Sequence, residues 1–193
     1  MSWPFQTEDT TALMQWGVAV GASLLGALSD LRTRRIPNRL TTTVLVTGCV
    51  SSFFVGGFGA VLGSMVAAVV VAFPFVLLWA LAGGGAGDAK LMGALGAWLG
   101  VKNGIIALIC VVLFGALLGL LTAWRKGQLV PTLTRIYHLT AARFPVFTWL
   151  SVILRWSPGR AEPGDDKMLA MPYGVAIFCG VCSAAVGSFL WPR

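Results

Sequence analysis

Two carboxylates stand at the edges of apolar runs. Asp30 closes the first run and Asp88 opens the fourth. Ionisable groups are costly at such positions and are functional suspects by default. Two carboxylates that share a site cannot both ionise easily, so the pair tends to share one proton. The ionised member then draws a proton from water while the other hydrogen-bonds a carbonyl, which is the chemistry of an aspartic hydrolase. The protons belong to the pair, so acid and base are not assigned individually. Either residue alone reads better as a helix terminus, Asp88 as an N-cap after glycines. Two on one side of the membrane, one of them inside a glycine-rich break, tip the reading toward catalysis.

Other chemistries lack their parts. The single histidine, His138, lies in a basic stretch with no partner motif, so neither a Ser-His nor a Cys-His arrangement can be assembled. Cys49, Cys110, Cys179 and Cys182 all fall inside apolar runs and read as small buried hydrophobes. Cys179-x-x-Cys182 has no second cysteine pair or nearby histidine to complete a zinc site. The two aspartates likewise lack the further ligands that a metal would require. No metal and no cofactor are expected.

The residues around the aspartates have their own logic. The stretch Gly83-Gly84-Gly85-Ala86-Gly87-Asp88-Ala89-Lys90 contains G-x-G-D. Glycine lets the backbone bend and lets a second chain approach the carboxylate closely. Irregular backbone at membrane depth is tolerated only where it lines a cavity or is packed in protein. On this argument Gly87→Val is harmful, and Gly85→Ala is milder if φ at Gly85 is negative. Lys90 has two readings: it holds the charge of the pair or contacts a bound backbone, or it is a snorkelling interfacial residue.

The elements that carry these residues belong to a membrane protein. Of the 193 residues, 57% are hydrophobic and 11% charged, and the mean hydropathy is +0.83. A soluble domain is nearer half apolar and a quarter charged, so the bilayer is the natural solvent. An all-α, polytopic transmembrane bundle forming one domain over residues 1–193 is expected. Six apolar segments are legible, near 12–29, 41–56, 60–82, 91–100, 105–124 and 168–191. The fourth is short, so it must extend back through Gly87 or sit partly below the surface. The first ten residues are polar, with Glu8 and Asp9 and no basic n-region, so the first segment is expected to remain as an anchor. Glycines spaced as Gly17/Gly21, Gly96/Gly100 and Gly115/Gly119 fit general helix packing.

Charge sets the expected orientation. The net charge of +7 invites a nucleic-acid reading, but the basic residues sit in loops between apolar runs. Arg32, Arg34, Arg35, Arg39, Lys90 and the seven basic residues from Arg125 to Lys167 fall on one side; Lys102 and Arg193 fall on the other. The positive-inside rule then places both termini outside the cytoplasm. Residues 128–156 mix apolar side chains with spaced arginines and read as an amphipathic helix in the cytoplasmic interface. Residues 157–166 read as a turn region leading into the last span.

A second motif, Asp30-Leu31-Arg32-Thr33-Arg34-Arg35-Ile36-Pro37-Asn38, gives the first its weight. D-x5-I-P-N after one span with G-x-G-D after the third resembles the prepilin peptidase family. A third match, Met171-Pro172-Tyr173-Gly174-Val175-Ala176, is similar to that family's Pro-aromatic-Gly segment. The resemblance runs from about Gly17 to Val186. It implies a membrane aspartic endopeptidase, with Asp30 and Asp88 as the catalytic pair, that removes the leader of a prepilin at the cytoplasmic membrane edge. A substrate is then expected to meet Gly85, Gly87, Lys90, Pro37 and Asn38. Larger members carry an added N-terminal region with paired Cys-x-x-Cys motifs, linked to N-methylation. Nothing like it occurs here, so the chain resembles the short, peptidase-only members associated with Flp/Tad-type pili.

Two other readings fit less well. Presenilin-type G-x-G-D peptidases use a Tyr-Asp pair and a Pro-Ala-Leu motif, whereas Ser29 precedes Asp30 here and no Pro-Ala-Leu occurs. A proton- or ion-coupled transporter would place its carboxylates near the midplane, often in repeated halves, and the sequence has no convincing internal repeat.

Overall fold

The structure, a computed structural model, describes residues 7–82, 85–125 and 173–190. The expected interfacial helix at 128–156, His138 and the turn region at 157–166 lie outside the described residues. Four long helices make up the rest: α1 (Thr7–Thr33), α2 (Asn38–Ala82), α3 (Ala86–Arg125) and α4 (Tyr173–Leu190). All four are long and apolar enough to cross a membrane. The chain forms two compact units, Met1–Gly115 with Pro172–Arg193, and Ala116–Met171. In the second unit, Leu117, Leu120, Leu121 and Trp124 form one helix stripe that lines a small open pocket. The first unit holds both aspartates.

Length alone requires α2 and α3 to break. At about 1.5 Å per residue, helices of 45 and 40 residues would run roughly 68 and 60 Å, twice a hydrocarbon core of about 30 Å. The breaks are at Gly56–Gly57 and Gly100. Gly57 (φ 67, ψ −156) and Gly100 (φ 71, ψ 178) hold a backbone conformation that is essentially reserved for glycine. Both breaks reverse the chain. Gly48 and Ser64, on opposite sides of the first, both touch Ala97: a Cβ on Gly48 would stand 3.2 Å from the Ala97 side chain, and Ser64 Oγ donates to the Ala97 carbonyl at 2.7 Å. Across the second, a Cβ on Gly104 would lie 3.7 Å from Cα of Gly96. A straight helix would hold those two residues about 12 Å apart.

The apolar segments read from the sequence therefore correspond to helical stretches at 7–33, 38–55, 58–82, 86–99, 101–125 and 173–190. The short fourth segment begins at Ala86 and ends at the Gly100 break, roughly 21 Å of helix, less than the hydrocarbon thickness. It is also the centre of the bundle: Leu91, Met92 and Leu95 are fully buried and Ala94 nearly so. Around it pack Val71 from α2, Trp16 from α1, and Ile177 and Val181 from α4. The second half of α2 buries Ala67, Val71 and Phe75 on one face and leaves Val66, Val69, Phe73 and Leu78 exposed on the other, as a helix between core and lipid would.

Polar bonds between helices help to fix the register. Trp98 Nε1 donates to the Val44 carbonyl at 2.8 Å, tying the first half of α2 to α3 beside the Ser64–Ala97 bond. The glycines divide into kinds that the spacing did not separate. Gly96 lies against the Ala67 carbonyl and Val71, and Gly115 against the ring of Tyr173, so both allow close approach. Gly100 is a turn residue, while Gly17, Gly21 and Gly119 face open space. Cys49, Cys110, Cys179 and Cys182 are half-buried and unlinked.

Candidate active site

Helix ends converge at the end of the bundle opposite the two glycine reversals: the C-terminus of α1 and the N-termini of α2, α3 and α4. The exit from α1 is built by short-range bonds. Arg34 takes a left-handed conformation (φ 52) and its amide donates to the Asp30 carbonyl at 2.8 Å, closing the helix. Ser29 Oγ and Thr33 Oγ1 both donate to the Arg35 carbonyl, at 2.9 and 3.2 Å. The turn delivers Ile36 to the core and Pro37 to the head of α2. There the Pro37 carbonyl accepts from the amides of Leu40 and Thr41, at 3.1 and 3.4 Å. The I-P-N segment is thus one half-buried anchor followed by a helix start.

The glycines of G-x-G-D meet this segment. Gly85 has φ +89, and its carbonyl accepts the Ala89 amide at 3.0 Å as α3 begins. A Cβ there would stand 3.2 Å from Oδ2 of Asp88. The expectation of a mild Gly85→Ala required negative φ, and that condition is not met. At Gly87 a Cβ would sit 3.3 Å from Cβ of Ile36, so the missing side chain is what lets the α1–α2 turn lie against α3.

Asp30 and Asp88 are both half-buried and close enough for their charges to interact. Asp30 is held from across the bundle: the Gly174 amide donates to its Oδ2 at 2.9 Å. The first turn of α4 comes so near that a Cβ on Gly174 would fall 2.9 Å from Cβ of Asp30 and 3.1 Å from Cα of Ala27. Tyr173 stands within electrostatic reach of Asp88. Its ring meets Phe75 edge to face at 5.9 Å and packs on Gly115.

Lys90 is placed differently. Its Nζ donates to Oδ1 of Asn38 at 3.0 Å, joining the I-P-N motif to the G-x-G-D helix on the exposed side. Five expected site residues, Gly85, Gly87, Lys90, Ile36's neighbour Pro37, and Asn38, therefore gather around the turn of α1 and the head of α3. Tyr173 and Gly174 were legible only as part of the third motif. Gly174 contributes a backbone amide, which residue type does not advertise. Among the described residues, no cluster of three or more metal-ligating side chains occurs.

The family model described as the type IV leader peptidase family matches residues 17–120, more than half of the chain and both aspartates. The chain belongs to that family. Among curated proteins, it is 35% identical over 121 residues to a prepilin leader peptidase/N-methyltransferase of Xanthomonas campestris pv. campestris, covering 58% of this chain and 42% of the relative. A protein of the same description from Burkholderia pseudomallei is 31% identical over 122 residues, covering 59% and 38%. One from Aeromonas hydrophila is 33% identical over 135 residues, covering 66% and 46%. The chain thus matches under half the length of these relatives. No solved structure matches it.

Proposed function

We propose that the chain is a multi-pass aspartic endopeptidase of the bacterial cytoplasmic membrane that cleaves the leader from type IV prepilins of the Flp/Tad kind. The observation that carries this reading is that Asp30 and Asp88, from the ends of two different helices, stand at one end of the bundle within electrostatic reach of each other, with the Gly174 amide bonded to Asp30. Family membership supports the peptidase, and the relatives' description supplies the substrate class.

In the proposed reaction one carboxylate takes a proton from water and the other donates a hydrogen bond to the scissile carbonyl. The water oxygen bonds to the carbonyl carbon, giving a tetrahedral intermediate. Collapse breaks the C–N bond, and the amine leaves with a proton returned by the pair. The Gly174 amide holds one oxygen of Asp30 in place throughout, so the pair meets the water with little reorganisation.

The basic residues support the orientation. Arg32, Arg34, Arg35, Arg39 and Lys90 all lie at the Asp30–Asp88 end, while Lys102 follows the reversal at Gly100. Under the positive-inside rule the site faces the cytoplasm, the helical stretches make six spans, and both termini lie outside. A prepilin joins a polar leader to an apolar helix, and a site at the membrane edge matches that junction in depth. The test is co-expression with a candidate prepilin, scoring leader removal by gel shift. Removal by the wild type and none by Asp30→Asn supports the reading; an unshifted prepilin beside well-expressed wild type overturns it.

A further inference from the structure

A groove that takes no part in the chemistry above opens between the two halves of α2 and the first half of α3. Its volume is about 790 Å³. Small residues form its floor: Ala68 and Ala72 from α2, Ala89 and Gly93 from α3. The walls are close there, since a Cβ on Gly93 would meet Ala72 Cβ at 3.2 Å and the Ala68 carbonyl at 3.3 Å. Val69 and Val76 line it as exposed side chains. Its polar groups are not scattered. Asn38, Thr41, Thr42 and Lys90 gather at one end, with Trp79 beside them, and Leu45 and Ala94 lie toward the other.

Three features decide what fits. The polar end is the end that carries Asp88, which stands on α3 between the groove residues Ala86 and Ala89. The occupant is therefore apolar along most of its length and polar where it nears the aspartates, with a tryptophan marking the level at which membrane gives way to water. Gly93 serves the contact between α2 and α3 themselves, and the alanines Ala68, Ala72 and Ala89 keep the floor low enough for a helix backbone to approach, a gain that a flexible acyl chain does not need. The size agrees as well. From Asn38 to Leu45, or Ala86 to Ala94, is roughly 10–12 Å of helix, and a helix about 10 Å across displaces on the order of 800 Å³ over that length.

We propose that this groove docks the apolar helix of the prepilin, with the leader leaving its polar end across the first turn of α3 to reach Asp30 and Asp88. The inference rests on the peptidase reading above and adds the surface that selects the substrate. It also gives Lys90 and Asn38 a place: they form the rim over which the chain passes from lipid to water. Gly85, where an added Cβ would meet only the Asp88 carboxylate, then leaves the crossing open beside that aspartate. The aspartates and the groove lie on different sides of one helical turn, so docking and cutting are separate contacts of one substrate.

The test uses full-length protein in proteoliposomes with a full-length prepilin. A photoreactive benzophenone side chain at position 69 or 76 should capture the prepilin's apolar helix, and the same probe at Val186, exposed on α4, should not. Val69→Trp and Val76→Trp should raise KM about tenfold with kcat nearly unchanged, the signature of lost docking rather than lost chemistry. Val186→Trp should alter neither. Capture of lipid alone at 69 and 76, or a KM equal to wild type in both tryptophan variants, overturns the groove while leaving the peptidase reading intact. Wild type that cuts no prepilin overturns the peptidase reading and the groove with it.

Discussion

The amide of Gly174 and the carboxylate of Asp30 are 144 residues apart in sequence and 2.9 Å apart in the fold. The bond is available only because position 174 has no side chain, since a Cβ would strike Asp30 and the α1 backbone at Ala27. Gly174→Ala should therefore push α4 from α1 and slow leader removal about a hundredfold, the cost of roughly 1 Å of misplacement. Gly187→Ala, in open space on the same helix, should match wild type. Initial rates of leader removal at equal membrane levels check both.

The aspartates themselves come next. Asp30→Asn and Asp88→Asn should each abolish cleavage, and Asp→Glu at either position should come close, because the added methylene moves the carboxylate by about the same 1 Å. Immunoblots of membrane fractions should find each variant at wild-type abundance. Retained cleavage in either Asn variant would falsify the aspartic mechanism.

The two glycines of G-x-G-D should fail for different reasons. Gly85→Ala forces an L-residue into positive φ, a strain of about 1–3 kcal/mol, and sets a methyl group against the Asp88 carboxylate. Gly87→Val meets Ile36 instead. Trimming that neighbour should then restore part of the activity: Gly87→Val with Ile36→Ala should cut faster than Gly87→Val alone. No such rescue is expected for Gly85→Ala. Cleavage kinetics of the single and double variants tell which contact matters at each glycine.

Orientation has a direct readout. A reporter active only in the cytoplasm, fused after Arg193, should stay silent, and one placed in the basic stretch after Arg125 should be active. The reverse pattern would turn the Asp30–Asp88 end away from the cytoplasm.

Much of this architecture is legible in the sequence. Apolar runs separated by basic or glycine-containing breaks mark the helices, because a bilayer demands long, self-satisfied backbone segments. Asp30 and Asp88 stand out because charge is scarce in such surroundings. Two things are not legible there. The sharpness of the reversals in α2 and α3 escapes, since glycine at 57 or 100 looks no different from glycine at 17 or 21, and only φ separates them. Lys90 escapes as well: a positive residue two places after a catalytic candidate invites an ion pair, yet the rise and turn of α3 carry it to Asn38. Gly174 makes the same point from the backbone side, as its amide is a group that every residue but proline also has.

The reversals at Gly57 and Gly100 turn helix directly into helix, with no intervening loop. Proteases nick exposed loops and need several residues of loose strand to do so, and these two bends offer none. In whole cells an added protease should find nothing to cut at either bend. An epitope tag or a fluorescent protein inserted at 57 or 100 would have to break a helical hairpin to be tolerated. Anyone seeking to label this molecule, or to raise a binder against it, would do better at its other pole.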